Sequence, residues 1–220
     1  MLGTYPIPSP HLVGTPVPRS PGHPSQWRAP LPPLQYGIDY TFLRLNGRQP
    51  ILWQPDWPIT VRFCEPHGPE QATSLAAVVA QLAQLTGLSL VTGAPWSRLI
   101  NTKAVPAQEI HVGFARTLPT APFVRPCAGR VGVGGAIAAQ NGTRFTSGFA
   151  VIADSDAGSS SMWDVAVLRH ELAHALGLGH AARPNLLMYH RISKTAVEFG
   201  RGDRHGLKLL NENAHLSAPS

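Results

Sequence analysis

Cysteine, lysine and long apolar runs are all scarce in this chain of 220 residues. Cys64 and Cys127 are the only cysteines and neither stands in a CxxC pair, so a cysteine-based metal site is excluded. They read as one disulfide, which would close a loop of about sixty residues, contribute ~4 kcal/mol through chain entropy and require an oxidising compartment. Two separately buried thiols are the alternative. No apolar stretch reaches about eighteen residues, which excludes a membrane-spanning helix. Prolines also puncture the first residues, MLGTYPIPSPHLVGTPVP, leaving no unbroken apolar stretch of the kind a secretory signal needs. Only three of the 18 Lys+Arg are lysines, and 12 Asp+Glu leave a net charge of +6. No dense basic run interleaved with aromatics accompanies that charge. It reads as a solvated surface and not as a nucleic-acid interface.

Proline, by contrast, is abundant at one end. Residues 1 to about 35 hold ten of the 22 prolines and no apolar periodicity, the pattern of a disordered or polyproline-like arm. The organisation expected is an arm over residues 1–40, one domain over 41–215 and a tail over 216–220.

Within the domain, Ile59-Thr60-Val61-Arg62-Phe63 alternates with the period of a half-buried strand. Pro69 to Leu85 places Ala72, Leu75, Val78, Val79, Leu82 and Leu85 at helical spacing, and Gly87 supplies a stop. Ile110, Val112 and Phe114 alternate with Glu109, His111 and Gly113. Residues 131–137 read as a glycine-rich strand that another backbone approaches closely, and 148–153 as a short apolar strand. A helix is expected from near Ser161, and a last short helix from Asp203 to Asn211.

The chemistry is concentrated in residues 170–180, HELAHALGLGH. At ~100° per residue, His170 and His174 stand ~40° apart on one helical face, so both imidazoles can reach one ion. Val165, Leu168, Leu172, Ala175 and Leu176 form the opposite, core-facing side. Gly177 is the residue suited to end the helix with a positive φ and to return His180 to the metal. Three neutral imidazoles leave the fourth position of a zinc ion for water, and Glu171 is placed to take that water's proton and pass it to a leaving amine. His11, His23, His67, His111, His205 and His215 carry no such spacing and read as ordinary surface or core residues.

The string HExxHxxGxxH, followed by Met188 eight residues after His180, resembles the metzincin clan of zinc metallopeptidases. Leu187-Met188-Tyr189 resembles the methionine turn of the matrixins, and residues 199–207, FGRGDRHGL, are similar to the segment that opens their C-terminal helix. The resemblance implies an α+β fold: a twisted mixed five-stranded sheet, two long helices with the zinc helix at the cleft floor, and a small C-terminal subdomain with the Met-turn and a short helix. Also implied are Met188 as a floor beneath one catalytic zinc, and a polypeptide substrate lying extended along an edge strand, for which 131–137 is the candidate. The activity expected is that of a monomeric metalloendopeptidase, extracellular or associated with the cell envelope. A non-proteolytic zinc-binding module on the same scaffold is the alternative. Two departures from the matrixin pattern stand out. No cysteine-bearing latency segment precedes the domain, and His190 follows Tyr189 where those proteins usually carry proline, altering the wall of the pocket beyond the scissile bond.

Overall fold

The computed structural model describes residues 31–64, 68–96, 101, 104–114, 132–152, 162–193 and 195–216. A compact unit runs from Leu34 to Ser220. Residues 34–40, read from the sequence as the end of the arm, belong to it: the Gly37 and Asp39 amides donate to the carbonyls of Tyr40 and Gln35, closing a tight turn. The turn is too short to show any periodicity, so only its packing partners reveal it.

Two-residue strands β1 (Leu45–Asn46) and β2 (Gln49–Pro50) form a small antiparallel hairpin. The main sheet contains β3 (Ile59–Phe63), β4 (Leu90–Thr92), β5 (Glu109–Phe114), β6 (Gly132–Ala138) and β7 (Phe145–Ile152), in the order β4-β3-β5-β7-β6. Its pairings are parallel except for β6 with β7, which is antiparallel. This is the mixed five-stranded sheet of a metzincin-like α+β fold, with four of its strands where the residue pattern puts them. The fifth, β4, is three residues long and largely exposed, and alternation cannot register over so short a run.

Helix α1 (Pro69–Thr86) begins with proline, whose missing amide is one that a first turn leaves unpaired anyway. Just before it, the Gln71 side chain accepts the Gly68 amide at 2.7 Å. Gly87 ends the helix at φ 73°, its amide donating to Ala83. Helix α2 spans Met162–Leu176 and α3 spans Arg201–Leu216. The last helix is longer than the sequence suggests, because its apolar face runs out near Leu210 while the backbone ladder continues. Leu75, Val78, Val79 and Leu82 of α1 join Leu168, Leu172, Ala175 and Leu176 of α2 and the inward residues of β3 and β5 in one buried cluster. On the other face of the sheet, Glu109 bridges Arg62 at 3.0 Å and His111 at 2.7 Å. His111 is thereby a satisfied interior residue.

The glycines of β6 explain how α2 comes so near the sheet. A Cβ placed on Gly134 would lie 2.1 Å from the backbone carbonyl oxygen of Glu171, and one on Gly132 would meet that residue's side-chain oxygen at 2.6 Å. Backbone therefore packs on backbone where the metal motif begins, as the glycine run suggested. Gly134→Ala is expected to push the strand off the helix and cost about 1–3 kcal/mol, read as a lower urea midpoint. An unchanged midpoint would show that this approach is not tight.

Candidate metal centre

Helix α2 delivers His170, Glu171 and His174, all buried to within 4–6% exposure. Its last carbonyls are not left to water. Leu178 N–H donates to Ala173, Gly177 N–H to His174, and the buried Trp53 indole to Ala175 at 3.0 Å. Gly177 takes φ 113°, and a Cβ there would press on the Phe145 ring at 2.9 Å, so the sharp exit from the helix requires glycine on both counts. The chain turns back and brings His180 beside the helical pair.

The three imidazoles meet through their Nε2 atoms, with His174 3.0 Å from His170 and 3.1 Å from His180. On the first two rings the other nitrogen is already engaged: His170 Nδ1 lies 2.8 Å from the Leu187 carbonyl and His174 Nδ1 lies 2.7 Å from the Leu178 carbonyl. A carbonyl only accepts, so each Nδ1 carries the proton and each Nε2 presents a lone pair. Lone pairs facing one another at this range repel unless a cation lies between them. Nitrogens bound to one tetrahedral zinc stand ~3.3 Å apart, so the donor set fits that ion closely, and the carbonyl behind each ring is the usual orienting partner of a metal-binding histidine. Among the described residues this is the one group of three or more ligating side chains gathered closely enough to hold a metal.

Behind the Leu187 carbonyl stands a second support that sequence reasoning did not assign. Asp203, fully buried at the start of α3, accepts the amides of Leu187 and Gly200 at 2.9 Å on Oδ2 and that of Met188 at 3.3 Å on Oδ1. Burial pushes its carboxyl above the ordinary range, and the three amide donors pull it back. The methionine turn is thus tied to α3, and through its Leu187 carbonyl to the His170 ring. Ala181 N–H donates to the Met188 carbonyl at 2.8 Å, closing the loop after His180, and Met188 itself is buried. Tyr189 packs on His190, whose ring stands edge-on to His180 at 6.4 Å between centroids.

Cys64 is buried with a free thiol, pushed up to about 12 by its burial and then by the nearby Glu109 charge. Cys127, its expected disulfide partner, lies outside the described residues. His11, His23 and His67 lie outside them as well.

Burial holds the His170 ring down to about 4 and the His174 ring to about 3; the neighbouring imidazoles lower both further, against the carbonyl bonds that raise them. The unfolded rings titrate near ~6.5, so below that pH the unfolded metal-free chain binds protons that the folded one excludes. Stability is therefore whole above about pH 7 and falls as the pH drops from about 6.5 toward 4. Urea midpoints measured in chelator should follow that course; a flat midpoint across the window would mean that the rings are not buried neutral. Asp203→Asn is expected to cost about 2–3 kcal/mol in the same assay, by replacing charge-assisted bonds to three amides.

Residues 106–211 match the family model of the matrixins. A search of the curated proteins found no match. Among solved structures, the chain is similar to the archaemetzincin of Methanopyrus kandleri, with TM-score 0.45 and 14% identity over 71% of this chain and 96% of that one. It is also similar to myroilysin, with TM-score 0.43 and 12% identity over 71% of this chain and 93% of that one. The matrixin match spans β5, both later strands, the zinc-motif helix, the methionine turn and most of α3, the elements that gather the three imidazoles. Over residues 106–211 the chain resembles the matrixins, and that resemblance together with the three gathered imidazoles supports a metzincin-like zinc metallopeptidase.

Proposed function

We propose that the chain is a metalloendopeptidase that holds one zinc ion on His170, His174 and His180 and cleaves peptide bonds with Glu171 as general base and then general acid. The observation that carries this reading is the convergence of three imidazole Nε2 atoms, with His174 at 3.0 Å from His170 and 3.1 Å from His180. Zinc there would supply Lewis-acid activation of a water and of the scissile carbonyl. Glu171 directly follows the first ligand and is buried beneath the β6 glycines, in surroundings that exclude bulk solvent. Its carboxylate accepts the proton of the attacking water and hands it to the departing amine, so that no covalent acyl intermediate is needed.

Strand β6 is one of the two edge strands of the sheet and lies directly over Glu171. That placement supports a substrate bound as an added strand along Gly132–Ala138, its backbone paired with the outer edge of β6. Such docking engages the middle of an extended polypeptide and not its end, which favours internal cleavage. Methionine 188 would form the apolar floor of the centre. His190 would shape the pocket beyond the cleaved bond, the proline-rich arm would lie outside the catalytic unit, and the enzyme would work as a monomer outside the cell or at its envelope.

Zinc-loaded protein should convert denatured casein into internal fragments, lose that activity to a chelator and regain it with zinc. Glu171→Gln should keep its zinc by elemental analysis and lose about 10²–10⁴-fold in kcat. Undiminished turnover in that variant would remove Glu171 from the reaction. Zinc-loaded wild type that yields no fragments would favour the binding-module reading.

A further inference from the structure

His180 differs from the other two imidazoles in what holds it. His170 and His174 ride on a buried helix, whereas His180 is exposed and sits past the helix end, in a loop with no ladder of its own. The loop is held instead by a segment nearly 140 positions earlier. Leu43 N–H donates to the Gly177 carbonyl at 2.7 Å, the Gly179 amide donates to the Thr41 carbonyl at 2.9 Å, and Phe42 pairs antiparallel with Leu178. Thr41 Oγ1 donates to the carbonyl of His180 itself at 2.7 Å, across a separation of 139 residues. Just beyond, Ala182 N–H donates to the Ile38 carbonyl at 2.9 Å and Arg183 pairs with Asp39 at 2.6 Å. Every bond in this set joins Ile38–Leu43 to Gly177–Arg183, that is, to His180 or to the three residues on either side of it.

Gly179 is what permits the approach. A Cβ there would stand 2.3 Å from Thr41 Oγ1 and 2.9 Å from the Phe42 carbonyl oxygen, the second being backbone that cannot swing aside. We infer that Ile38–Leu43 is a strap that sets the position of the third metal ligand, and that Thr41 is a positioning residue acting through the His180 carbonyl to retain the ion. The inference rests on the zinc-centre reading above. A loop free to wander must be ordered each time the metal binds, and that cost appears as weaker binding and faster release; partners that orient a ligand are worth about 10–100-fold in metal affinity.

The experiment is zinc release from the loaded full-length protein into a chromophoric chelator, set beside urea midpoints of the metal-free proteins. Thr41→Val, which keeps the shape and removes the hydroxyl, should release zinc about tenfold faster or more, while Thr41→Ser, which keeps the hydroxyl, should stay near wild type. Gly179→Ala should also accelerate release, by displacing the strap. Leu82→Ala, a cavity in α1 that touches none of the strap's hydrogen bonds, should lower the urea midpoint and leave zinc release at the wild-type rate. The strap is overturned if Thr41→Val releases zinc no faster than wild type, if the serine variant matches the valine variant, or if Leu82→Ala accelerates release as much. Wild type that retains no zinc would instead overturn the metal centre, and the strap with it.

Discussion

Three imidazole Nε2 atoms gathered within about 3 Å of His174 are the constraint to which the rest of this structure answers. Such an arrangement lasts only where the rings are kept from turning away. The rings cannot turn because the opposite nitrogens of the helical pair are spent on the Leu187 and Leu178 carbonyls. Those carbonyls are themselves held, Leu187 by a turn anchored on Asp203 and Leu178 by the sharp exit of the helix at Gly177. A cation bound by these nitrogens would add its binding free energy to the stability of the fold, which is how a binding site becomes linked to stability.

The supports come from opposite ends of the chain, and they are unequal. On one side the interior does the work: α2 is packed against the sheet through Leu168, Leu172 and Leu176, and Trp53 reaches in to satisfy the Ala175 carbonyl at its end. His170, Glu171 and His174 inherit the rigidity of that core. On the other side the loop that carries His180 is held by hydrogen bonds to a partly exposed segment. Such a segment opens locally more readily than a buried helix does.

Strand β6 ties the centre to the edge of the sheet. Side chains on a sheet normally keep a packed helix about a side chain's length away. With glycine at 132 and 134 the helix backbone comes up against the strand, and Glu171 is brought directly beneath the outer edge of the sheet. The residues that could align a polypeptide and the residue that could move its protons are held in register by the absence of two side chains.

Local signals carried much of this into view before any coordinates. HELAHALGLGH places two imidazoles on one helical face by angle alone, Gly177 announces the turn, and the alternation of β3 and β5 and the spacing of α1 are periodic over enough residues to be read. The glycine run at 132–135 even signalled a close backbone, though not which one. What could not be read is the identity of partners distant in the chain. Nothing about a buried aspartate at 203 tells which amides it will accept, and a threonine at 41 has no local feature that distinguishes it from any other surface threonine. Such pairings are decided by loop closure and packing over the whole domain, whereas helix faces and turns depend on neighbours a few residues away. The kind of chemistry was therefore written in eleven consecutive residues, and the tertiary structure alone decided what holds those residues in place.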